Sequence, residues 1–205
     1  MDCGTDRTRD GAFIPDAGIS YTQTPRRDND RGSMQKNEPG AGPATFTMVP
    51  IGLIRTPFKS ATGTPIQGTA SHGAQGVVEL LPEFISGLKD LAGIERIWLI
   101  YLLDRASQMQ LVVRPFMDTE ERGVFSTRSP ARPNPIGISA VRLLGVEENR
   151  LLIGDVDMLD LTPLLDIKPY VPAFDSFEKS RAGWYANKSA ISVVADSRFE
   201  AREKE

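Results

Sequence analysis

The sequence has almost none of the side chains on which thiol and metal chemistry depend: one cysteine, Cys3, and one histidine, His72, in 205 residues. A lone cysteine cannot close an internal disulfide, and one Cys with one His cannot complete a tetrahedral zinc site within a chain. Metalloprotease and zinc-deaminase classes fall, and no metal is expected. No run approaches the roughly 20 consecutive apolar residues of a membrane-spanning helix. The opening Met1-Asp2-Cys3-Gly4-Thr5-Asp6-Arg7 also lacks the apolar stretch of a signal peptide. A cytoplasmic protein without membrane contact is the expectation. Missing too are the G-x-G-x-x-G turn of dinucleotide folds, the G-x-x-x-x-G-K-[ST] phosphate loop and a serine nucleophile elbow. With 24 Lys and Arg against 27 Asp and Glu, the net charge of -3 argues against coating nucleic acid by bulk charge. It leaves room for a local basic pocket.

What is present is an ordinary globular balance, 40% hydrophobic and 25% charged, enough to bury a core without disulfides. Residues 1–47 are crowded with Asp, Arg, Gly, Pro, Asn and Gln. Such a segment cannot offset its ordering entropy, and it is expected to be a disordered tail. The folded domain is expected over residues 48–195, and the charged residues 196–205 read as a frayed C-terminal tail.

Within the domain, short apolar runs recur between turn residues: 49–54, 77–81, 97–103, 110–116, 137–144 and 151–159. This is the pattern of a mainly β fold, a small barrel or sandwich with one or two short helices. Period-two geometry over 152–158 puts Leu152, Val156 and Met158 on one face and Asp155 and Asp157 on the other. Residues 97–103 are apolar on both faces, which suits a strand covered on both sides or one in an oligomer interface. Pro82 to Leu91 carries Phe84, Leu88 and Leu91 at helical spacing, with Gly93 beyond, and predicts a helix. Another helical turn is expected after Pro172.

Two segments stand out. In Thr127-Arg128-Ser129-Pro130-Ala131-Arg132-Pro133-Asn134-Pro135-Ile136-Gly137, three prolines within six residues hold the backbone extended. Arg128, Arg132 and Asn134 on this stiff loop can be aimed at a carboxylate, a phosphate or an adenine edge at low entropic cost. Alternatively the loop is a plain corner between barrel strands with solvated arginines. In the second segment, residues 159–170, Asp160 and Thr162 can receive the hydroxyls or amino group of a nucleoside, while Lys168 and Tyr170 offer a cation and a stacking face. The bland counterpart is a local side-chain-to-backbone turn, with Asp166 paired to Lys168 and Tyr170 in the core. His72, in a small-residue loop, reads as a surface side chain.

Arg128-Ser129-Pro130-Ala131-Arg132-Pro133-Asn134-Pro135-Ile136-Gly137, Asp160-Leu161-Thr162-Pro163 and Asp166-Ile167-Lys168-Pro169-Tyr170, with the opening Ile51-Gly52-Leu53-Ile54-Arg55-Thr56-Pro57, resemble the TsaA-like family of tRNA methyltransferases. The resemblance implies a β-barrel homodimer that uses S-adenosyl-L-methionine to methylate N6 of threonylcarbamoyladenosine beside the tRNA anticodon. Carried over by motif, the cofactor contacts are Pro65, Ile66 and Gln67, then Asp104 and Arg105. Arg128, Ile138, Leu159, Asp160, Leu161 and Thr162 complete the set. Three positions depart from the family pattern, Ile66, Asp104-Arg105 and Leu161, and the first two alter the charge of the cofactor cleft. Arg132, Asn134, Lys168 and Tyr170 are the expected substrate contacts. Methyl transfer from a sulfonium needs no metal, only in-line approach of a nucleophile, so positioning carries the catalysis. Asp160, assisted by Arg132 and Asn134, is the expected catalytic group and proton acceptor, with Asp166 next.

Overall fold

The computed structural model describes residues 47–187 and 194–199. The compact unit begins at Thr47. The expectation of a disordered tail falls on residues outside the described ones.

Six antiparallel strands close into a barrel: β1 Gly52–Arg55, β2 Gln75–Leu80, β3 Arg96–Leu102, β6 Ile136–Glu147, β7 Arg150–Gly154 and β8 Thr162–Pro169. Their order around the barrel is β1-β2-β7-β6-β3-β8. Two short strands, β4 Val112–Val113 and β5 Arg122–Gly123, pair outside it. The alternation that makes a strand also fills the barrel. Ile54, Val78, Ile97, Leu99, Val141, Leu151, Ile153 and Leu164 point inward and are fully buried, while their neighbours face outward. Closure pairs every barrel strand on both sides and leaves no sheet edge.

Several expectations meet the chain differently. The 151–159 run does not stay a strand: β7 stops at Gly154, and Asp155 takes a left-handed conformation, φ 63°. That turn reverses the phase. Leu151 and Ile153 are buried and Leu152 is 41% exposed, whereas Val156 and Met158, beyond the turn, are buried. Residues 162–169, not among the expected strands, form β8 despite Pro163 and Pro169. Pairing on both sides, three register pairs with β1 and five with β3, outweighs the two missing N–H donors. The helix after Pro82 is a 3₁₀ helix, Pro82–Leu88. Leu88 and Leu91 pack on the barrel core from outside, and Gly93 takes φ 97° just past them. A single α-helical turn, α1 Pro172–Asp175, follows Pro172 as expected. His72 is exposed.

The C-terminal residues described are not frayed. Ser197–Phe199 is a 3₁₀ turn, and Phe199, 7% exposed, joins Val113, Val124, Ala131 and Phe116 in a second small core. Its ring meets Phe116 edge-on at 5.2 Å. One buried aromatic anchors a segment whose composition alone reads as solvated.

Asp155 also ties the barrel wall. Its carboxylate accepts from Arg96 Nη2 at 3.0 Å and from Arg142 Nε at 3.0 Å. Partial burial pushes this carboxyl up, but the bonds from Arg142 and Arg96 prevail and hold it below the ordinary carboxylate range. A depressed folded value contributes stability above the unfolded value of about 3.9, lost as pH falls through the lower folded value. Asp155→Asn, which tolerates the left-handed backbone, is expected to cost about 1 to 2 kcal/mol at pH 7 after screening of the exposed guanidiniums. The difference from wild type should vanish in acid. Urea denaturation at pH 7 and pH 3 checks this.

Candidate active site

The rigid loop 127–137 leads into β6 at Ile136, and β3 ends beside it: Tyr101 pairs with Gly137 and Leu102 with Ile136. At this end of the barrel opens a cavity of about 700 Å³, the size range of small-molecule sites. Gly137 is required there. A Cβ on it would fall 2.1 Å from Tyr101 Cε2, so only glycine lets the tyrosine ring pack this closely on the β6 backbone.

Nine of the residues expected to hold a cofactor do line this cavity. Pro65, Ile66 and Gln67 come from the loop after β1, and Asp104 and Arg105 from the turn after β3. Arg128 and Ile138 come from the loop and the start of β6, and Leu159 and Thr162 from the approach to β8. Within it, Arg105 donates to Thr162 Oγ1 at 3.1 Å, and Thr162 donates to the Leu159 carbonyl at 2.7 Å. Arg128 donates to Gln67 Oε1. Arg132 also lines the cavity, but one of its nitrogens, Nη1, is spent on the loop, lying 2.9 Å from the Thr127 carbonyl, 3.3 Å from that of Val124 and 3.4 Å from that of Ser129. It braces the loop from within.

Other expected site residues lie elsewhere. Asp160 and Leu161 do not line the cavity. Asp160 Oδ1 accepts the Thr56 amide at 2.9 Å and Oδ2 accepts Lys59 Nζ at 2.5 Å. Burial pushes its carboxyl up, yet these bonds outweigh burial and hold it low. A carboxylate so engaged is a poor proton acceptor, because its charged form is already stabilised. Leu161, at φ 62°, turns outward and is 44% exposed. Asn134 is exposed and outside the cavity lining. Lys168, paired to Asp166 at 2.7 Å, stands opposite Trp98, and Tyr170 packs on Trp98 with ring centroids 5.4 Å apart. Both sit toward the far end of β3, roughly 10 Å of strand from Tyr101. Asp166, facing Ile100 in the register, is likewise absent from the lining. β8 enters the cavity wall at Thr162 and then runs away from the opening, with a register shift between Leu164 and Asp166 before it reaches Lys168.

Reading the sequence missed the cavity's most unusual group. Asp157 lines it, partly buried, and accepts Ser139 Oγ at 2.6 Å; Ser139 Oγ in turn lies 2.9 Å from the Tyr101 hydroxyl. Burial pushes the Asp157 carboxyl up, only partly offset by Ser139, the Gly68 amide and the charge of Arg128. Burial and the nearby Asp157 charge push the Tyr101 hydroxyl up as well, so it stays protonated. Trp184 and Tyr185, also missed, line the same cavity as a stacked pair, centroids 3.8 Å apart at 27°. Arg122 lies over the Trp184 ring at 5.3 Å, and the indole N–H donates to the Ser126 carbonyl at 2.8 Å.

This donor set suits an adenosyl amino acid. Ile66, Ile138, Leu159, Met117 and Met158 give apolar walls for a purine, carboxylates suit an ammonium or ribose hydroxyls, and Arg128 suits a carboxylate. Among the described residues no cluster of three or more His, Cys, Asp or Glu can hold a metal, and no helix is long and apolar enough to cross a membrane.

The family model of the tRNA-methyltransferase O N-terminal domain matches residues 53–176. The chain is 56% identical over 135 residues to a probable S-adenosyl-L-methionine-binding protein of Pyrococcus abyssi, covering 66% of this chain and 73% of that one. It is 32% identical to a mouse tRNA (adenine(37)-N6)-methyltransferase, over 62% of this chain and 31% of that protein. The crystal structure of TrmO from Pseudomonas aeruginosa superposes with a TM-score of 0.59 at 40% identity, over 69% of this chain and 63% of TrmO. The barrel, the cavity and these relatives agree: the chain belongs to the tRNA-methyltransferase O family of S-adenosyl-L-methionine-dependent methyltransferases.

Proposed function

We propose that the protein methylates N6 of N6-threonylcarbamoyladenosine next to the tRNA anticodon, with S-adenosyl-L-methionine as donor. The observation that carries this reading is one cavity in which guanidiniums and a stacked Trp184–Tyr185 pair stand around apolar walls. Guanidiniums receive carboxylates and phosphates, and half-buried aromatic rings facing a cavity can receive an unstacked base, worth about 1 to 3 kcal/mol per base. When bound, the donor supplies an activated methyl group. Ile66, Ile138 and Leu159 hold its apolar part, Arg128 its carboxylate, and the loop braced by Arg132 keeps that guanidinium in place. The mouse relative, named for methylation at adenine 37 N6, supports the position on tRNA. The same reading takes the protein as a cytoplasmic homodimer, with the half-buried outer residues of β3, Trp98, Ile100 and Leu102, against the partner.

The test is methyl transfer from labelled donor to tRNA carrying threonylcarbamoyladenosine and to the same transcript left unmodified. Label is expected only in the modified tRNA, and a product nucleoside other than the N6-methylated one would sink the assignment. Retained cofactor binding without transfer to any tRNA would favour a barrel that methylates another amine or only binds the cofactor. Light scattering reports the dimer.

A further inference from the structure

Three carboxylates line the cavity among the described residues: Asp104, Asp157 and Asp196. Two of them are wet and ion-paired. Asp104 faces Arg105 at 3.3 Å and Asp196 faces Arg198 at 2.7 Å, with side chains 35% and 51% exposed. Asp157 differs in three ways. Burial raises its affinity for a proton, it makes no ion pair among the described residues, and it ends a hydrogen-bond chain that starts in the barrel. Chemistry fixes the direction of that chain. A carboxylate only accepts, so Ser139 donates to Asp157, and the Ser139 oxygen is left to accept the hydrogen that Tyr101 keeps.

We propose that Asp157 takes the proton released by the attacking nitrogen during methyl transfer, with Ser139 and Tyr101 as positioning residues that hold its carboxylate toward the cavity. The inference rests on the methyl-transfer reading above. The nitrogen lone pair forms the new bond to the methyl carbon, and the carbon–sulfur bond breaks with its electron pair left on sulfur. The N–H proton passes to the Asp157 carboxylate. A sulfonium cation and a carboxylate anion thus become a thioether and a carboxylic acid. Two charges disappear together beside a carboxylate partly withdrawn from water, where keeping a charge unpaired is costly. The groups facing Asp157 are Tyr101 from β3, Ser139 from β6, the Gly68 amide and Arg128 from the loop. Apart from Arg128, none offers a positive charge that would hold the proton off.

The decisive variant is Asp157→Asn, whose amide oxygen still accepts from Ser139 and Gly68. Bulk tRNA with its natural modifications serves as acceptor, so an error in the accepting nucleoside shows in the product and not in the ratio of rates. Single-turnover transfer is expected to slow by about 10² to 10⁴-fold. Calorimetric affinities for S-adenosyl-L-methionine and S-adenosylhomocysteine should stay within about threefold. A second readout needs no turnover. A carboxyl raised by burial makes the folded state lose stability as pH climbs above the unfolded value, so the variant should melt higher than wild type at pH 7.5, by a margin that shrinks toward pH 4. Ser139→Ala removes a bond that favours the charged form, and should shift the acid limb of the pH–rate profile upward while costing less rate than Asp157→Asn. Undiminished transfer by Asp157→Asn overturns the proposal. So does a normal rate at saturating donor with weakened binding of S-adenosyl-L-methionine alone, which makes Asp157 a sulfonium contact. A wild-type protein that binds the donor but methylates no tRNA overturns the underlying reading itself.

Discussion

Arg128→Ala is expected to weaken S-adenosyl-L-methionine binding by roughly 10- to 100-fold while leaving the melting temperature nearly unchanged. Arg128 is exposed at the cavity, and its hydrogen bond goes to Gln67, a neutral amide. Among the described residues it makes no ion pair, so its charge is available to a ligand. A hydrogen bond to a charged group contributes about 1.5 to 3 kcal/mol, and each 1.4 kcal/mol is tenfold in affinity. Pro130, Pro133 and Pro135, just beyond Arg128, restrict the loop, so little is lost in ordering the side chain. Calorimetry with the donor and with an analogue lacking the amino-acid carboxylate checks the assignment. The analogue should bind wild type and variant alike, and an equal loss for both ligands would place Arg128 on some other group. Arg132→Ala should behave in the opposite way. Its guanidinium ties the carbonyls of Thr127 and Ser129 in the loop to that of Val124 in the turn before it, so stability falls first and binding follows from a loosened loop.

Leu99→Ala carries the largest expected effect on stability, about 2 to 5 kcal/mol. Leu99 is fully buried at the middle of β3, between β6 and β8, with Ser139 and Ile167 as its register partners. A closed barrel cannot collapse around a void without breaking ladder hydrogen bonds on both sides, so the cavity term is paid nearly in full. For a unit of about 150 residues this is a fall of roughly 6 to 15 °C in melting temperature. Denaturant unfolding with an unchanged slope is the measurement. A loss below 1 kcal/mol would mean that the strand slides or repacks.

The Pro-rich loop could be picked out from the residues themselves, because its prolines fix its shape, whereas Pro65-Ile66-Gln67 and Asp104-Arg105 entered only as what the family resemblance implies; all of them line the cavity as local segments. Short apolar runs between turns pointed to a mainly β fold, barrel or sandwich, and the resemblance chose the barrel. What escaped depended on pairing across the fold. Asp157 becomes special only when Ser139 and Tyr101 arrive from two other strands, and no spacing in the sequence announces that meeting. Asp160 carried the motif's strongest signal and yet faces Lys59 and Thr56, because the turn at Leu161 points the next residue, Thr162, inward in its place. The phase of 151–159 failed for a similar reason, since one left-handed residue, Asp155, resets which side chains face the core. Phe199 was hidden by its charged neighbours, and only packing reveals an anchor of one ring.

That ring sets the true extent of the working unit. The family match ends at residue 176, but Trp184, Tyr185, Asp196 and Phe199 all help to wall the cavity. On the proposed reading the barrel fixes the donor, and these four lining residues beyond the family match meet the acceptor. Exchange of that wall is a way to change which acceptor enters without disturbing the β core, and chains trimmed at the end of the barrel would keep their fold while losing their selectivity.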